Sequence, residues 1–395
     1  MTAHPPRTHT EPPPPLDGGA PARATVDLDA IAANVAVLRS RAGSAEVMAV
    51  VKADGYGHGL LPSARAALRG GATWLGVAQL NEAIMLRDSG IGARLLSWLH
   101  APGTDFGRAI DADVDLSVSA TWALEAIAAA ARDRGRTARI QLKVDTGLGR
   151  NGAYGEDWVA LLAAARRLES EGAVRVVGVW THFAYADAPD HPTVRLQQQR
   201  FVEAVSDAER AGCDLEVRHI ANSAATLTNP AAAFDLVRPG IAVYGLSPVP
   251  DLGDPASFGL TPAMTLTANL AVTKRVPAGQ GVSYGHQYVT QRDTTLALVP
   301  LGYADGIPRN ATNVGPVTIG ATRHTVSGRV CMDQFVVDVG PDASVAPGDE
   351  AIVFGRGADG EPTAEDWARA TGTISYEIVT RIGARVPRVY VGGDR

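Results

Sequence analysis

Three lysines stand in a chain that otherwise relies on arginine: Lys52, Lys143 and Lys274 are the only ones among 36 basic side chains. An amine can shed its proton and act as nucleophile or base, whereas a guanidinium keeps its proton, so a retained lysine points to required chemistry. Lys52 ends the apolar run Val47-Met48-Ala49-Val50-Val51 and opens the loop Ala53-Asp54-Gly55-Tyr56-Gly57-His58-Gly59. Desolvation by such a run lowers the pKa of an ammonium, and the neutral amine condenses with aldehydes to a Schiff base. Lys143 and Arg150 form a second basic pair, two cations that should repel if they share one site. Taken alone, each lysine is also readable as an ordinary surface ammonium.

Other groups offer less by themselves. His182 reads equally as a satisfied core histidine. With Asp187 and His219 it gives a metallohydrolase reading, but one HxxxxD spacing without a clustered ligand set is weak, and no metal is expected. Cys213 and Cys331 are far apart in the chain. They suit neither a disulfide framework nor a cysteine zinc site, and a reducing cytoplasm fits them best. A net charge of −6 without a basic block argues against nucleic acid as a partner. No apolar run reaches the roughly 18 to 20 residues that span a bilayer, so a membrane is not expected either. The GxG of Gly355-Arg356-Gly357 lacks a strand-to-helix setting and reads as part of a turn.

The elements that must position these groups follow from periodicity. Residues 1–23 begin with a proline-crowded stretch and are expected to be a disordered tail. From Ala24 onward, short β-branched runs alternate with amphipathic stretches such as Trp122 to Arg132 and Asp157 to Leu168. Candidate strands end near Val51, Val77, Trp98, Val118, Val144, Thr181, Ile220 and Val237. About eight such units predict an α/β fold, a (β/α)₈ barrel over residues 24–248, with reactive groups at the C-terminal ends of its strands. Residues 249–395 read as an all-β domain, with strands expected at Ala268–Val272, Thr295–Val299, Val326–Val330, Phe335–Val339 and Ala351–Phe354.

Motifs then accumulate in order. They are AVVKADGYGHG around Lys52, LKVDTGLGRNG around Lys143 and Arg150, THFAYAD around His182, HIANSAA around Ser223 and VRPGIAVYG around Arg238. GVSYGHQY around Tyr284, GYADGIPR around Tyr303, GRVCMDQ around Met332 and ISYEIVTRIGARVPR around Tyr376 follow. With these the chain resembles the alanine racemases, enzymes that use pyridoxal 5′-phosphate (PLP) on a barrel followed by a β domain. The likeness runs from about Ala24 to Tyr390.

The resemblance implies two-base interconversion of L- and D-alanine. Lys52 would carry PLP and serve the D-isomer as base; Tyr284, supplied by the partner of a homodimer, would serve the L-isomer. Arg238 would face the pyridine nitrogen and, keeping its proton, limit the cofactor as an electron sink. His182 would link Arg238 to Tyr284. The phosphate would meet Ser223 beside Asn222, the amides of Gly240 and Ile241, and the hydroxyls of Tyr56 and Tyr376. Lys143 would be carbamylated and orient Arg150 toward the cofactor's phenolic oxygen and the substrate carboxylate, with the Met332 amide helping. Asp187, Tyr303, Arg309 and Asp333 would line the entrance, and Tyr376 would favour a methyl side chain. The implied product is D-alanine for peptidoglycan. Leu148 and Thr380 depart from the commonest wording of the family without removing a catalytic group. A broader-specificity racemase is the nearest alternative, ahead of a PLP carrier lacking the second base.

Overall fold

The computed structural model describes residues 19–393. They fall into two compact units, one of Leu28–Thr261 with residues from Gly393 onward, the other of residues up to Asp27 with Pro262–Gly392. The strands, in chain order, begin with β1 (Ala22–Asp27), β2 (Glu46–Val50), β3 (Trp74–Val77), β4 (Arg94–Ser97) and β5 (Asp115–Val118). Next come β6 (Ala138–Lys143), β7 (Val174–Trp180), β8 (Val217–His219) and β9 (Leu236–Val237).

Strands β2 to β9 form an eight-stranded parallel sheet in the order β8-β7-β6-β5-β4-β3-β2-β9. The ladder between β2 and β9 joins Glu46 to Leu236 and Val47 to Val237. The remaining seam, β8 to β9, is crossed by two backbone bonds, Asp235 N–H to Arg218 O (3.1 Å) and Arg238 N–H to Ala221 O (2.9 Å). This is the expected (β/α)₈ barrel. Its strands are almost continuously buried, as parallel strands covered on both faces must be. Met48, Trp74, Leu96, Val217 and Leu236 pack together inside it with Trp98 against them. Each such side chain contributes about 1.5–3 kcal/mol through burial. The helices between strands match the expected spans, for example Thr121–Arg134 and Glu156–Ser170. Acidic residues Glu156 and Asp157 at the start of the latter, and Arg167 near its end, complement its dipole.

The other unit is mostly antiparallel and contains β10 (Met264–Asn269), β11 (Val272–Val276), β12 (Gly281–Val282), β13 (Tyr288–Val289) and β14 (Thr294–Val299). It continues with β15 (Pro316–Ile319), β16 (Thr322–Thr325), β17 (Phe335–Gly340), β18 (Glu350–Phe354) and β19 (Arg388–Val391). Six strands run in the order β16-β15-β18-β10-β1-β19, three as β11-β14-β17 and two as β12-β13. Alternating burial along β1 and β17 fits sheets with one covered face.

Several expectations need correction. The tail drawn at 1–23 lies outside the described residues up to 18, but Ala22 and Arg23 are ordered in β1. The barrel drawn from 24 gives Ala24–Asp27 to the other unit, because β1 pairs with β10 and β19 there. The boundary drawn at 248 lies at Thr261, because Asn34 accepts from Thr261 N–H and donates to the Thr261 and Val243 carbonyls. Ala268–Val272 is not one strand: Leu270 N–H bonds to Asp349 and Ala271 N–H to Leu298, which passes the chain from one sheet to another. In Val326–Val330 only Val326 pairs, with Val337, and Gly328 at φ +85° turns the chain away.

Candidate active site

Lys52 follows directly on β2 and Val51, and the backbone after it enters a left-handed turn, with φ of +54° at Ala53, +53° at Asp54 and +61° at Gly55. Non-glycine residues rarely adopt this conformation, and strain of this kind concentrates at functional sites. Here it is held by specific bonds. Ala53 N–H donates to Glu82 Oε1 (2.6 Å), and Asp54 Oδ1 accepts from Leu60 N–H (2.7 Å). Glu82 also caps its own helix through the amides of Ala78 and Gln79. The Lys52 ammonium nitrogen lies 5.9 Å from the centre of the Tyr56 ring and 6.0 Å from that of Trp98. Burial and the Arg150 charge lower its pKa, with Glu82 opposing.

Lys143 ends β6 and is buried, with Nζ 2.5 Å from Asn151 Oδ1 and 4.1 Å from the centre of the Trp180 ring. Burial, together with Arg150, Arg238 and Lys52, pushes its pKa down to about 7, against the pull of Asp145. Arg238, just after β9, donates to His219 Nδ1 (2.9 Å) and to the carbonyls of Thr181 (2.8 Å) and Ile220 (3.2 Å). His182 Nδ1 lies 3.4 Å from the same guanidinium. Burial and Arg150 lower the Arg238 pKa to about 9, so it stays cationic at neutral pH. Burial and the surrounding cations push both histidines well below their usual value. Four basic groups, Lys52, Lys143, Arg150 and Arg238, thus meet at the C-terminal mouth of the barrel, a field suited to a phosphate and a carboxylate.

Past β8 and β9 the backbone makes a cradle. Ser223 Oγ accepts from the amides of Gly240 (2.8 Å) and Ala242 (3.3 Å), with buried Ile241 between them. Asn222 caps the short helix Ser223–Thr228 through Ala225 N–H. A Cβ at position 240 would come within 2.2 Å of the Tyr56 hydroxyl, so only glycine lets the two approach. The Tyr56 ring packs 5.0 Å from Tyr244, whose hydroxyl donates to Val50 O.

In the other unit, three loops are stitched together. Ser283 Oγ, beside Tyr284, donates to Arg329 O (2.7 Å), while Tyr303 N–H donates to Cys331 O (3.0 Å) and Ala304 N–H to Met332 O (2.9 Å). A Cβ on Gly302 would lie 2.2 Å from Met332 O, which explains a glycine there. Tyr284 is 71% exposed, and Tyr303 and Met332 are also exposed. Asp333 pairs with Arg385 (2.7 Å). Tyr376 sits in the short helix Ser375–Thr380. Arg309 opens a turn at Arg309–Ala311, and Asp187 lies exposed in the loop after β7.

Residues 26–248 match the model of the alanine racemase N-terminal domain, and residues 263–390 that of the C-terminal domain. The chain belongs to the alanine racemase family. An alanine racemase of Frankia casuarinae is 64% identical over 93% of this chain and 96% of its own length. One from Beutenbergia cavernae is 61% identical over 94% and 98%. The crystal structure of alanine racemase from D-cycloserine-producing Streptomyces lavendulae superposes with a TM-score of 0.94 at 58% identity, covering 95% of this chain and 98% of that one.

Against that family background, the structure brings Lys52, Tyr56, Lys143, Arg150, His182, Asn222, Ser223, Arg238, Gly240 and Ile241 to the strand ends of one barrel. It groups Tyr284, Tyr303, Met332 and Asp333 on neighbouring loops of the other unit. The metallohydrolase reading fails on geometry: the Nδ1 atoms of His182 and His219 face the Arg238 guanidinium, a cation where that reading needs a metal. Among the described residues no group of three His, Cys, Asp or Glu side chains converges on a metal position, and no helix is long and apolar enough to cross a membrane. Sequence reasoning missed Glu82, Asn151 and Trp180. Glu82 carried half a signal: a glutamate at the third position of a helix can cap it, but Gln79, three residues earlier, is not one of the usual residues at a helix start. Trp180 carried none, since one tryptophan at a strand end reads as core.

Proposed function

We propose that this protein interconverts L-alanine and D-alanine with PLP, by a two-base mechanism in a homodimer whose sites combine the barrel of one subunit with the Tyr284 loops of its partner. The observation that carries the proposal is a lysine of lowered pKa, Lys52, just after β2 at the mouth of the barrel, where the charges of Arg150, Arg238 and Lys143 also meet. The residues present fit PLP. Gly240 leaves room where a side chain would collide with Tyr56; Ser223 Oγ, which accepts from the Gly240 amide, keeps its own proton to donate to a phosphate, and the Gly240–Ile241 backbone would close around that group with Tyr56 and Tyr376. When bound, PLP supplies an electron sink that acidifies the Cα–H of the amino acid.

The chain's own groups do the rest. Lys52 would hold the cofactor, and its Nζ holds or releases a proton on one face of Cα. Tyr284 does so at its phenolic oxygen on the opposite face. Arg238, a donor that keeps its proton, would face the cofactor's ring nitrogen and so restrain side reactions. Its contact with His182 supports a link onward to Tyr284. Arg150 and the Met332 amide orient the substrate carboxylate, and Tyr303 and Asp333 narrow the entrance. Lys143, with a pKa of about 7, is poised to react as a neutral amine with carbon dioxide, giving a carbamate and a released proton. That anion would offset the crowd of cations. The enzyme would act in the cytoplasm, supplying D-alanine for peptidoglycan.

The test is L-alanine with the PLP-loaded protein in heavy water, following loss of the α-proton together with appearance of D-alanine. Both are expected. Exchange without D-alanine would mean that only one face is served, and neither would sink the reading.

A further inference from the structure

The guanidinium of Arg238 is the near end of a buried hydrogen-bonded line through the barrel. It donates to His219 Nδ1 (2.9 Å); His219 Nε2 stands 2.7 Å from Gln141 Oε1; and Gln141 Nε2 stands 2.9 Å from Asp115 Oδ2. All four side chains are buried. His219 is the last residue of β8, Gln141 lies within β6, and Asp115 is the first residue of β5. The line therefore runs from the C-terminal mouth to the opposite end of the barrel. There Asp115 Oδ1 accepts from Arg139 Nε (2.8 Å), and Arg94 is 3.6 Å from Oδ2.

Both ends of this line have a fixed sense. Arg238 can only donate, and a carboxylate between two guanidiniums accepts. Every intermediate orientation follows: the Gln141 amide turns its nitrogen toward Asp115 and its oxygen toward His219, so His219 carries its proton on Nε2 and presents a bare Nδ1 to Arg238. We propose that Gln141 and Asp115 are positioning residues for the racemisation, fixing the tautomer of His219 from the far end of the barrel and so fixing where Arg238 points. The catalytic half of this inference rests on the reading above that Arg238 faces the cofactor. The low pKa of His219 agrees, since a second ring proton would have to sit on Nδ1 and would confront Arg238.

Asp115→Asn puts the line under conflict with almost no change in shape. Arg139 holds the single amide oxygen, so the new NH₂ group faces the Gln141 NH₂ group. Gln141 then turns over, His219 must accept at Nε2, and its proton moves to Nδ1 against Arg238. Gln141→Leu cuts the same line without a polar replacement and serves if the asparagine variant does not fold. Asp115→Glu keeps an acceptor and should rescue.

The experiment is long-range ¹H–¹⁵N correlation of ¹⁵N-histidine-labelled, PLP-loaded enzyme, with His219 assigned by its own substitution, alongside kcat and KM for alanine. The wild type should show His219 protonated at Nε2. In Asp115→Asn and Gln141→Leu that pattern should reverse or average, with kcat falling by up to about a hundredfold and KM changing far less. An unchanged His219 pattern in both variants overturns the relay, whatever happens to kcat. A changed pattern with unchanged kcat upholds the relay and instead sinks the placement of Arg238 against the cofactor.

Discussion

Lys143 donates to Asn151 across 2.5 Å, so the buried ammonium is met by a neutral acceptor and not by a counter-ion. That choice leaves the amine easy to deprotonate. A carboxylate at the same place would stabilise the charged form.

Asn151→Asp should therefore raise the Lys143 pKa above its present value of about 7. In ¹³C-bicarbonate, the wild type should give a carbamate resonance at pH 8 that fades as the pH falls through about 7, because protonation removes the reactive amine. In the Asn151→Asp variant the same fading should occur at higher pH. A resonance that survives in Lys143→Arg would assign the carbamate elsewhere.

Gly240→Ala places a methyl group 2.2 Å from the Tyr56 hydroxyl. Tyr56 is buried against Tyr244 and has little room to retreat. PLP affinity should drop by roughly tenfold or more, about 1.4 kcal/mol, as read from the visible absorption of the lysine-bound cofactor. Unchanged affinity would remove this cradle from the phosphate site.

Tyr284→Phe keeps the exposed ring and removes its proton carrier. Solvent deuterium should still enter D-alanine, the isomer served by Lys52. Incorporation into L-alanine should fall by on the order of a hundredfold, the usual worth of a placed acid or base. Equal losses for both isomers would contradict the division of labour.

Glu216 accepts from Arg139 and Arg94, which hold its carboxyl down at about 2 from an ordinary 4.5. A depressed carboxyl stabilises the folded state above its unfolded pKa, and the contribution disappears as pH falls through the folded value. Glu216→Gln should lower the melting temperature at pH 7, and the gap from wild type should close between pH 4.5 and 2. A gap independent of pH would assign the loss to shape and not to charge.

Much of the barrel was legible because its strands are short apolar runs that end in groups with obvious chemistry. Val50 to Lys52 and Val237 to Arg238 both carry that signature. The line through Gln141 and Asp115 was not legible. Its members lie on different strands, and periodicity says which residues face inward but not which polar pairs meet there. The division of the chain was also obscure: β1 reads like another βα entry, and only pairing with β10 and β19 reveals its place.

That pairing sets a timetable. Ala22 must find Ala268 and Ala24 must find Arg388, so the first strand leaves the ribosome long before either neighbour exists. At synthesis rates of about 5–20 residues per second, it waits roughly ten seconds to a minute while the entire barrel is made. Until β10 arrives, β1 is an unpaired edge on a nascent chain, open to the wrong partner. The second unit is thus the last part of this protein to become complete, and slowing translation between residues 28 and 261 should lengthen that exposure.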